Sequence, residues 1–411
     1  MNNQSVIFPY KTIQDVDLDG KQILMRADYN VPLTEDGHIA DDYRITASLP
    51  TLHYLIEHGA KIVIIAHLGR PKSSTDVKYS LAPVAVALSN RLGRNVRFVH
   101  DCIGADVLDV TEKMQPGDVV LLENLRFHPE EKADDPDFAN ELARSACAEL
   151  FVQDGFGVVH RPHASTDAIT KVLPSYAGLL LEKEYIEIKS ATDNPNRPLT
   201  AVIGGAKISD KIPLVKKFIQ ISDNVIVGGA LANNFLKHQG YDVANSLVEA
   251  GVDDVVADIL NLAHQKYGDS FNQHFILPRD VAIAADGQVT SSRAEVGLSD
   301  VHGDNVIYDI GEQTISDIDQ AVKQSGTVIW NGTLGMAEYE QFSHGSARLA
   351  MVLAQNSNIV SVIGGGDTAD FVRNWDVLKG GSFTHVSTGG GASLELMAGD
   401  TLPGIAALLP R

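Results

Sequence analysis

Short runs of apolar, β-branched residues recur along this chain, separated by stretches with helical periodicity, and no other feature limits the possible folds so strongly. The runs fall at residues 22–26, 61–67, 96–99, 119–123, 150–152, 201–204, 224–228, 328–330 and 359–363. A strand that is apolar on both faces belongs to a sheet covered on both sides, and a helix between successive strands is the crossover that a parallel pair needs. The expectation is an α/β protein built from doubly wound parallel sheets. Between two of the runs, residues 44–58 carry Ile45, Leu49, Leu52, Leu55 and Ile56 at helical spacing, with Pro50 as a kink point.

At 411 residues the chain is long for one hydrophobic core and suits two, at roughly 150 residues per domain. A helical stretch at 176–192 ends in Asp193-Asn194-Pro195-Asn196-Arg197-Pro198, a turn-rich segment before a new strand. Two doubly wound parallel-sheet domains joined by a hinge helix are therefore expected. They comprise a first domain over 1–178, an interdomain helix and hinge over 179–198, and a second domain over 199–399. Residues 240–272 read as helix.

The 33 Lys and Arg are outnumbered by 53 Asp and Glu, a formal charge of −20. Polyanion backbones attract surplus cations, so nucleic acid and membrane surfaces are not expected partners, whereas small anions in a local pocket remain open. The first twenty residues lack the basic start and apolar run of a secretory leader, and no run of about 18 apolar residues occurs, so a cytoplasmic protein is expected. Cys102 and Cys147, in apolar surroundings without a CxxC pair, read as buried structural thiols.

In open α/β sheets ligands bind beyond the carboxyl ends of the strands. In the first half those positions carry Arg26-Ala-Asp28-Tyr-Asn30, His67-Leu68-Gly69-Arg70, Glu123-Asn-Leu-Arg126-Phe-His128 and Asp154-Gly-Phe-Gly-Val-Val-His160-Arg161-Pro-His163, with Arg44 opening the helix after the first strand. A planar guanidinium holds phosphate or carboxylate bidentately, so such a set at one edge predicts a pocket for a small, multiply charged anion. The second half puts glycines at the same address: Gly204-Gly-Ala-Lys207 with Lys211 beyond, Gly228-Gly229, Gly364-Gly365-Gly366-Asp367-Thr368 and Gly389-Gly390-Gly391. Glycine lets a phosphate approach the backbone, and a helix start offers free N–H groups. Lys207 and Lys211, four apart, are expected to share one helix face.

Two nucleotide readings are open at this point. Gly364-x-Gly366-x-x-Ala369 matches the dinucleotide fingerprint of a nicotinamide-dependent dehydrogenase, but it falls late in its domain and lacks a convincing acidic partner about 20 residues on. The alternative is phosphoryl transfer to an already ionised acceptor such as a carboxylate, which needs positioning and charge stabilisation rather than a general base. No P-loop, G-x-S-x-G elbow or HExxH string is present.

Eight segments in order, RADYNVPL, AHLGRP, LENLRFHPEE, DGFGVVHRPHAST, GGAKISDKI, VIWNGTLGMAE, IGGGDTADF and STGGGASLELMAGDTLPG, resemble those of the phosphoglycerate kinase family from Arg26 to Gly404. The resemblance implies ATP-dependent, reversible phosphorylation of the carboxylate of 3-phosphoglycerate, in glycolysis and gluconeogenesis. Carried over by position, it implies that Asp28 and Asn30 hold the acid's polar end beside a basic patch of Arg44, His67, Arg70, Arg126 and Arg161, with Leu68 and Gly69 also in the acid's binding site. It assigns catalysis to Arg44 and Lys207, and nucleotide binding to Lys211, Glu338, Gly365, Gly366, Asp367 and Thr368. Asp367 is the implied protein ligand of Mg2+, and Gly389, Gly390 and Gly391 form the implied loop facing the reacting phosphoryl group. The substrates 3-phosphoglycerate and ATP, a monomer, and a tail over 400–411 returning to the first domain are implied as well. The chain departs from the family's pattern at Gly155, Val158, Glu312 and Thr333.

Overall fold

The computed structural model describes residues 6–411; residues 1–5 of the expected first domain lie outside them. β1 (Gln22–Arg26), β2 (Lys61–Ile65), β3 (Val96–Val99), β4 (Val119–Leu122), β5 (Leu150–Gln153) and β6 (Ser175–Ala177) form a sheet in the order β3-β4-β2-β1-β5-β6. Every pairing in it is parallel. Side chains alternate between its two covered faces. Ile23 and Met25 of β1 join a core layer with Ile45, Leu52 and Leu55 of the helix Tyr43–Glu57, while Leu24 joins the opposite layer with Phe138 and Leu142 of the helix Pro136–Ser145. Each such side chain contributes about 1.5–3 kcal/mol by burial.

The second half contains β7 (Leu199–Ile203), β8 (Asn224–Val227), β9 (Phe275–Ile276), β10 (Asp280–Ala284), β11 (Ala294–Gly297), β12 (Val306–Ile310), β13 (Thr327–Asn331), β14 (Val360–Gly364) and β15 (His385–Val386). Six of these form another parallel sheet, ordered β15-β14-β13-β7-β8-β9. Strands β10 to β12 form a separate antiparallel sheet, which the strand-and-helix grammar of the sequence did not lead us to expect. Its edge strand β11 is exposed or half-buried throughout and carries no apolar run.

Residues 240–252 also depart from expectation, since the helix starts only at Asp253. Gly240 and Gly251 adopt φ of +92° and +76°, and Val243 packs on Val281 and Ile283 of the antiparallel sheet. Its apolar residues thus serve a loop, not a helix face. The stretch 176–192 becomes helix only from Leu179, because β6 pairs with β5 just before it. Cys102 is buried, but Cys147 is half-buried, in a turn with φ +49° past the end of the helix Pro136–Ser145.

The chain divides into two compact units, Ile7–Ile186 with Thr401–Arg411 and, separately, Glu187–Asp400, so the division falls inside the helix Leu179–Asp193. The carboxyl-terminal tail is held by backbone hydrogen bonds, from Gly404 N–H to the Val159 carbonyl (2.8 Å) and from Leu409 N–H to that of Ser175 (3.1 Å).

The start of that helix rests on a buried carboxylate at the end of β5. Asp154 Oδ1 accepts from the Thr51 hydroxyl (2.8 Å) and Leu180 N–H (3.1 Å), while Oδ2 has no partner among the described residues. Burial pushes its carboxyl up to about 7. The folded protein therefore retains a proton that the unfolded chain releases, and stability declines as pH rises from the ordinary carboxyl range to about 7. We expect the urea midpoint to fall between about pH 5 and pH 8 by an amount worth on the order of 2 kcal/mol in the wild type, with most of that slope abolished in Asp154→Asn. Parallel profiles for the two proteins would show that Asp154 is ionised in the fold.

Candidate active site

The winding reverses between β1 and β5 in the first sheet, which has a second such place between β2 and β4, and between β7 and β13 in the second. The loops leaving those strand pairs diverge and open a crevice at their carboxyl ends. At the first crevice the two loops are in contact, since a Cβ on Gly155 would lie 3.1 Å from the backbone of Ala27 and of Asp28.

The cations gather there. Arg26, at the end of β1, is buried, with Nε donating to Ser165 Oγ (2.8 Å) and Nη1 to the Ala27 carbonyl (2.6 Å). Its Nη2 lies 3.2 Å from His67 Nδ1. A guanidinium only donates, so Nδ1 must accept and the imidazole proton sits on Nε2. His67 is pushed well below its ordinary pKa, first by burial and then by Arg26, Arg126, Arg44 and Arg161. It is a neutral imidazole in contact with Arg26 and in the electrostatic field of Arg126, Arg44 and Arg161.

Asp28 Oδ2 holds Arg44 Nη1 at 2.8 Å, and its Oδ1 accepts Asn30 N–H at 3.1 Å. Asn30 Oδ1 in turn accepts Gly69 N–H (2.8 Å), and Arg126 Nη1 donates to the Gly69 carbonyl (2.6 Å). Arg161 Nε donates to His160 Nε2 (2.9 Å), while Leu68 is buried and Arg70 is exposed. Arg126 is driven down to about 10 by burial and then by repulsion from Arg26 and Arg161. Against the four guanidiniums stand two carboxylates, Asp28 paired with Arg44 and Glu131 lying 4.0 Å from Arg26. The surplus of two positive charges suits an anion of matching charge.

Reading strand ends for Arg and His passed over the residues that hold this set in place. Asn124 is fully buried, donates through Nδ2 to the carbonyls of Leu68 and Tyr79 (2.8 Å each), and accepts Arg126 N–H (3.0 Å). Glu131 accepts from Ser165 through both its hydroxyl (2.7 Å) and its N–H (3.0 Å), which seats the partner of Arg26. Neither follows an apolar run directly with a charge of the expected sign.

At the second crevice the backbones touch. A Cβ on Gly204 would lie 2.0 Å from the Thr333 carbonyl oxygen, and one on Gly332 would lie 2.2 Å from that of Gly204. Only glycine allows this approach. Lys211 Nζ crosses the seam, donating to the Gly204 carbonyl (2.6 Å) and to Asn331 Oδ1 (2.8 Å). Burial lowers its pKa to about 8, against the opposing pull of Asp367 and Asp210. Asn331, unforeseen from sequence, keeps a buried Nδ2 without a partner among the described residues.

Lys207 and Lys211 do not share a helix face. Lys207 is exposed in irregular chain, and Lys211 ends the short 3-10 turn Ser209–Lys211 before the helix Ile212–Ile221. Pro213 has no N–H for the Ser209 carbonyl, so the α-helical ladder cannot run back through this segment.

The glycine loops after β14 and β15 are stitched together. Ser393 Oγ accepts Gly365 N–H (3.3 Å) and donates to the Gly390 carbonyl (2.7 Å). Gly365 and Gly390 immediately precede the helices Gly366–Trp375 and Gly391–Ala398, and Gly389 is buried behind them. Thr368 is buried, and its hydroxyl accepts Gly332 N–H (2.7 Å). A cavity of about 400 Å3 is lined by Thr333, Ala337, Glu338, Asp367, Asp370, Phe371 and Asn374, which unites Glu338 with Asp367.

A cationic pocket in one unit, with glycine loops, helix starts and a buried lysine in the other, defines a phosphotransferase of the α/β class. A family model described as phosphoglycerate kinase matches residues 13–400. The chain belongs to the phosphoglycerate kinase family. It is 42% identical over 401 residues to the phosphoglycerate kinase of Pelotomaculum thermopropionicum, covering 98% of this chain and 99% of that one. With the Aquifex aeolicus protein of the same name it shares 43% over 394 residues, 96% of each chain. The structure of phosphoglycerate kinase from Coxiella burnetii superposes with a TM-score of 0.83 at 33% identity, covering 97% of this chain and 98% of that one. The protein is a kinase, and its reaction is that of the family, reversible phosphoryl transfer between ATP and 3-phosphoglycerate.

Were a nucleotide phosphate to bind at Lys211, it would restore the ammonium that burial weakens, so above about pH 8 binding would include proton uptake. We expect ATP affinity to fall with rising alkalinity by up to about tenfold per pH unit, and Lys211→Met to flatten that slope. Calorimetry in buffers of different ionisation enthalpy reads the proton directly, and pH-independent affinity would remove Lys211 from the phosphates.

Proposed function

We propose that the two substrates divide between the two units. The acid binds at the β1/β5 crevice, in the unit Ile7–Ile186 with its carboxyl-terminal tail, and the nucleotide at the β7/β13 crevice in Glu187–Asp400. The observation that carries this reading is geometric: at one set of strand ends Arg26 lies 3.2 Å from His67, Arg44 is held on Asp28 and Arg126 on the Gly69 carbonyl, a grouping suited to a phosphorylated acid. Asp28, Asn30, Leu68, Gly69 and Arg70 complete that pocket. Lys211, Glu338, Gly365, Gly366, Asp367 and Thr368 hold the nucleotide, with Glu338 placed for the ribose hydroxyls.

A carboxylate oxygen of 3-phosphoglycerate forms a bond to the γ-phosphorus of ATP as the bond from that phosphorus to the β-bridging oxygen breaks, and ADP leaves. The acceptor is already ionised, so no base is needed. Lys207 and Arg44 offset charge on the transferring group, aided by the N–H groups at Gly389, Gly390 and Gly391, while Lys211 steadies the phosphates. Because each substrate has its own unit, closure about the helix Leu179–Asp193 aligns them and excludes water.

Asp367 fits the role of Mg2+ ligand. Its exposed carboxylate shares the Glu338 cavity and lies in the electrostatic field of Lys211. A hard cation takes one or two carboxylates plus phosphate oxygens, and when bound it supplies neutralisation of phosphate charge. A cytoplasmic monomer completes the reading, on the strength of the family resemblance.

The dehydrogenase alternative loses its footing because Gly364 ends β14, next to the edge of the sheet and far along the chain, whereas a dinucleotide fingerprint belongs to the first strand-to-helix turn.

In a coupled ATP-consumption assay with 3-phosphoglycerate, Lys207→Ala should lower kcat by about 100-fold or more with little change in KM for the acid. Unchanged turnover would take it out of the mechanism. Arg126→Ala and Arg161→Ala should instead raise the KM for the acid. If both left that constant unaltered, the pocket would be elsewhere.

A further inference from the structure

The loops that follow β3 and β4 lie side by side, with Glu123 N–H donating to the Asp101 carbonyl (3.3 Å). They bring together three side chains that the phosphoryl-transfer reading leaves unused. Asp101 Oδ1 accepts the N–H of Cys102 at 2.7 Å and lies 2.8 Å from His128 Nε2. The carboxylate, thiol and imidazole offer ligand atoms all within 4.8 Å of one another, and among the described residues no other His, Cys, Asp or Glu side chains converge in this way.

The surroundings suit a bound ion. The Cys102 side chain is buried in the core beneath the loops, at 1% exposure. The His128 ring is held against Phe138, with centroids 5.3 Å apart. A cavity of about 550 Å3 opens onto Asp101 and His128, and His100 and Glu123 also line it, so an ion would have an entry path and further donors.

We propose that Asp101, Cys102 and His128 form a binding site for a borderline divalent cation of the zinc type, separate from Mg2+ and from both substrate sites. One sulfur, one imidazole nitrogen and one carboxylate oxygen make a donor set that favours such an ion over magnesium or calcium, which take oxygen alone. Tetrahedral zinc spaces its ligand atoms roughly 3.3–3.8 Å apart, so side-chain movements of about 1 Å close the site, leaving the fourth position to water or His100. Binding forms a metal–sulfur bond and releases the thiol proton to solvent. His128 directly follows the turn Leu125–Phe127 that carries Arg126, so the ion would tether the Arg126 loop to the loop after β3.

The test is titration of the metal-free, tag-free full-length protein with Co2+, in excess Mg2+ and without substrates. The expected result is one Co2+ per chain, a thiolate-to-cobalt charge-transfer band in the near ultraviolet, displacement by Zn2+, and a higher thermal midpoint with either ion. Cys102→Ser should abolish the band. His128→Gln, which leaves the buried thiol in place, should weaken affinity by at least about tenfold, and Cys147→Ser should behave as wild type. No band in the wild type, a band that survives Cys102→Ser, or equal uptake by wild type and His128→Gln would overturn the proposal.

Discussion

Two loops that must share one narrow space at each reversal of the sheet winding are the constraint on which both halves of the molecule depend. At β7 and β13 the backbones of Gly204, Gly332 and Thr333 pack so closely that no Cβ fits between them. That contact lets the Lys211 ammonium rest on the Gly204 carbonyl and Asn331 Oδ1, and neutral acceptors leave its charge available to an anion. At β1 and β5 the Gly155 loop lies against Ala27 and Asp28, which places the buried Arg26 beneath the site. Rigid strands anchor both arrangements, so the functional groups inherit the precision of the sheets rather than the freedom of loops.

Electrostatics explains how an enzyme of anions can carry a net charge of −20. The pocket groups four guanidiniums in the neighbourhood of His67, and burial first, then repulsion from neighbouring guanidiniums, lowers the pKa values of Arg126 and His67. Buried hydrogen bonds hold this unfavourable grouping together, through Ser165 and Glu131 to Arg26, and through Asn124 to the loop carrying Arg126. An acidic exterior around a basic crevice concentrates small anions at the crevice and gives polyanion backbones nothing to grip.

The parallel strands that are buried on both faces were legible because such burial writes a continuous apolar run, and β4 and β13 fall where those runs lie. The antiparallel sheet was not, because β11 is exposed or half-buried and its residues carry no period. The segment 240–252 misled for the opposite reason: its apolar residues pack on that sheet from a loop. At the site, the charged residues announced themselves by following strands, whereas Asn124, Glu131 and Asn331 act through buried hydrogen bonds that only the partners' positions reveal.

What the sequence determined by itself was the inventory: the alternation of strands and helices, the Arg and His after four strands, the glycines after four others, and a string of motifs specific enough to resemble one family. These are local properties, written within a few residues. The tertiary structure alone decided which charges meet and in what state. It made His67 a neutral donor, buried Lys211 while leaving Lys207 exposed, and set Asp101, Cys102 and His128 side by side from two separate loops. Burial and through-space charge depend on neighbours far apart along the chain, and no local pattern encodes them.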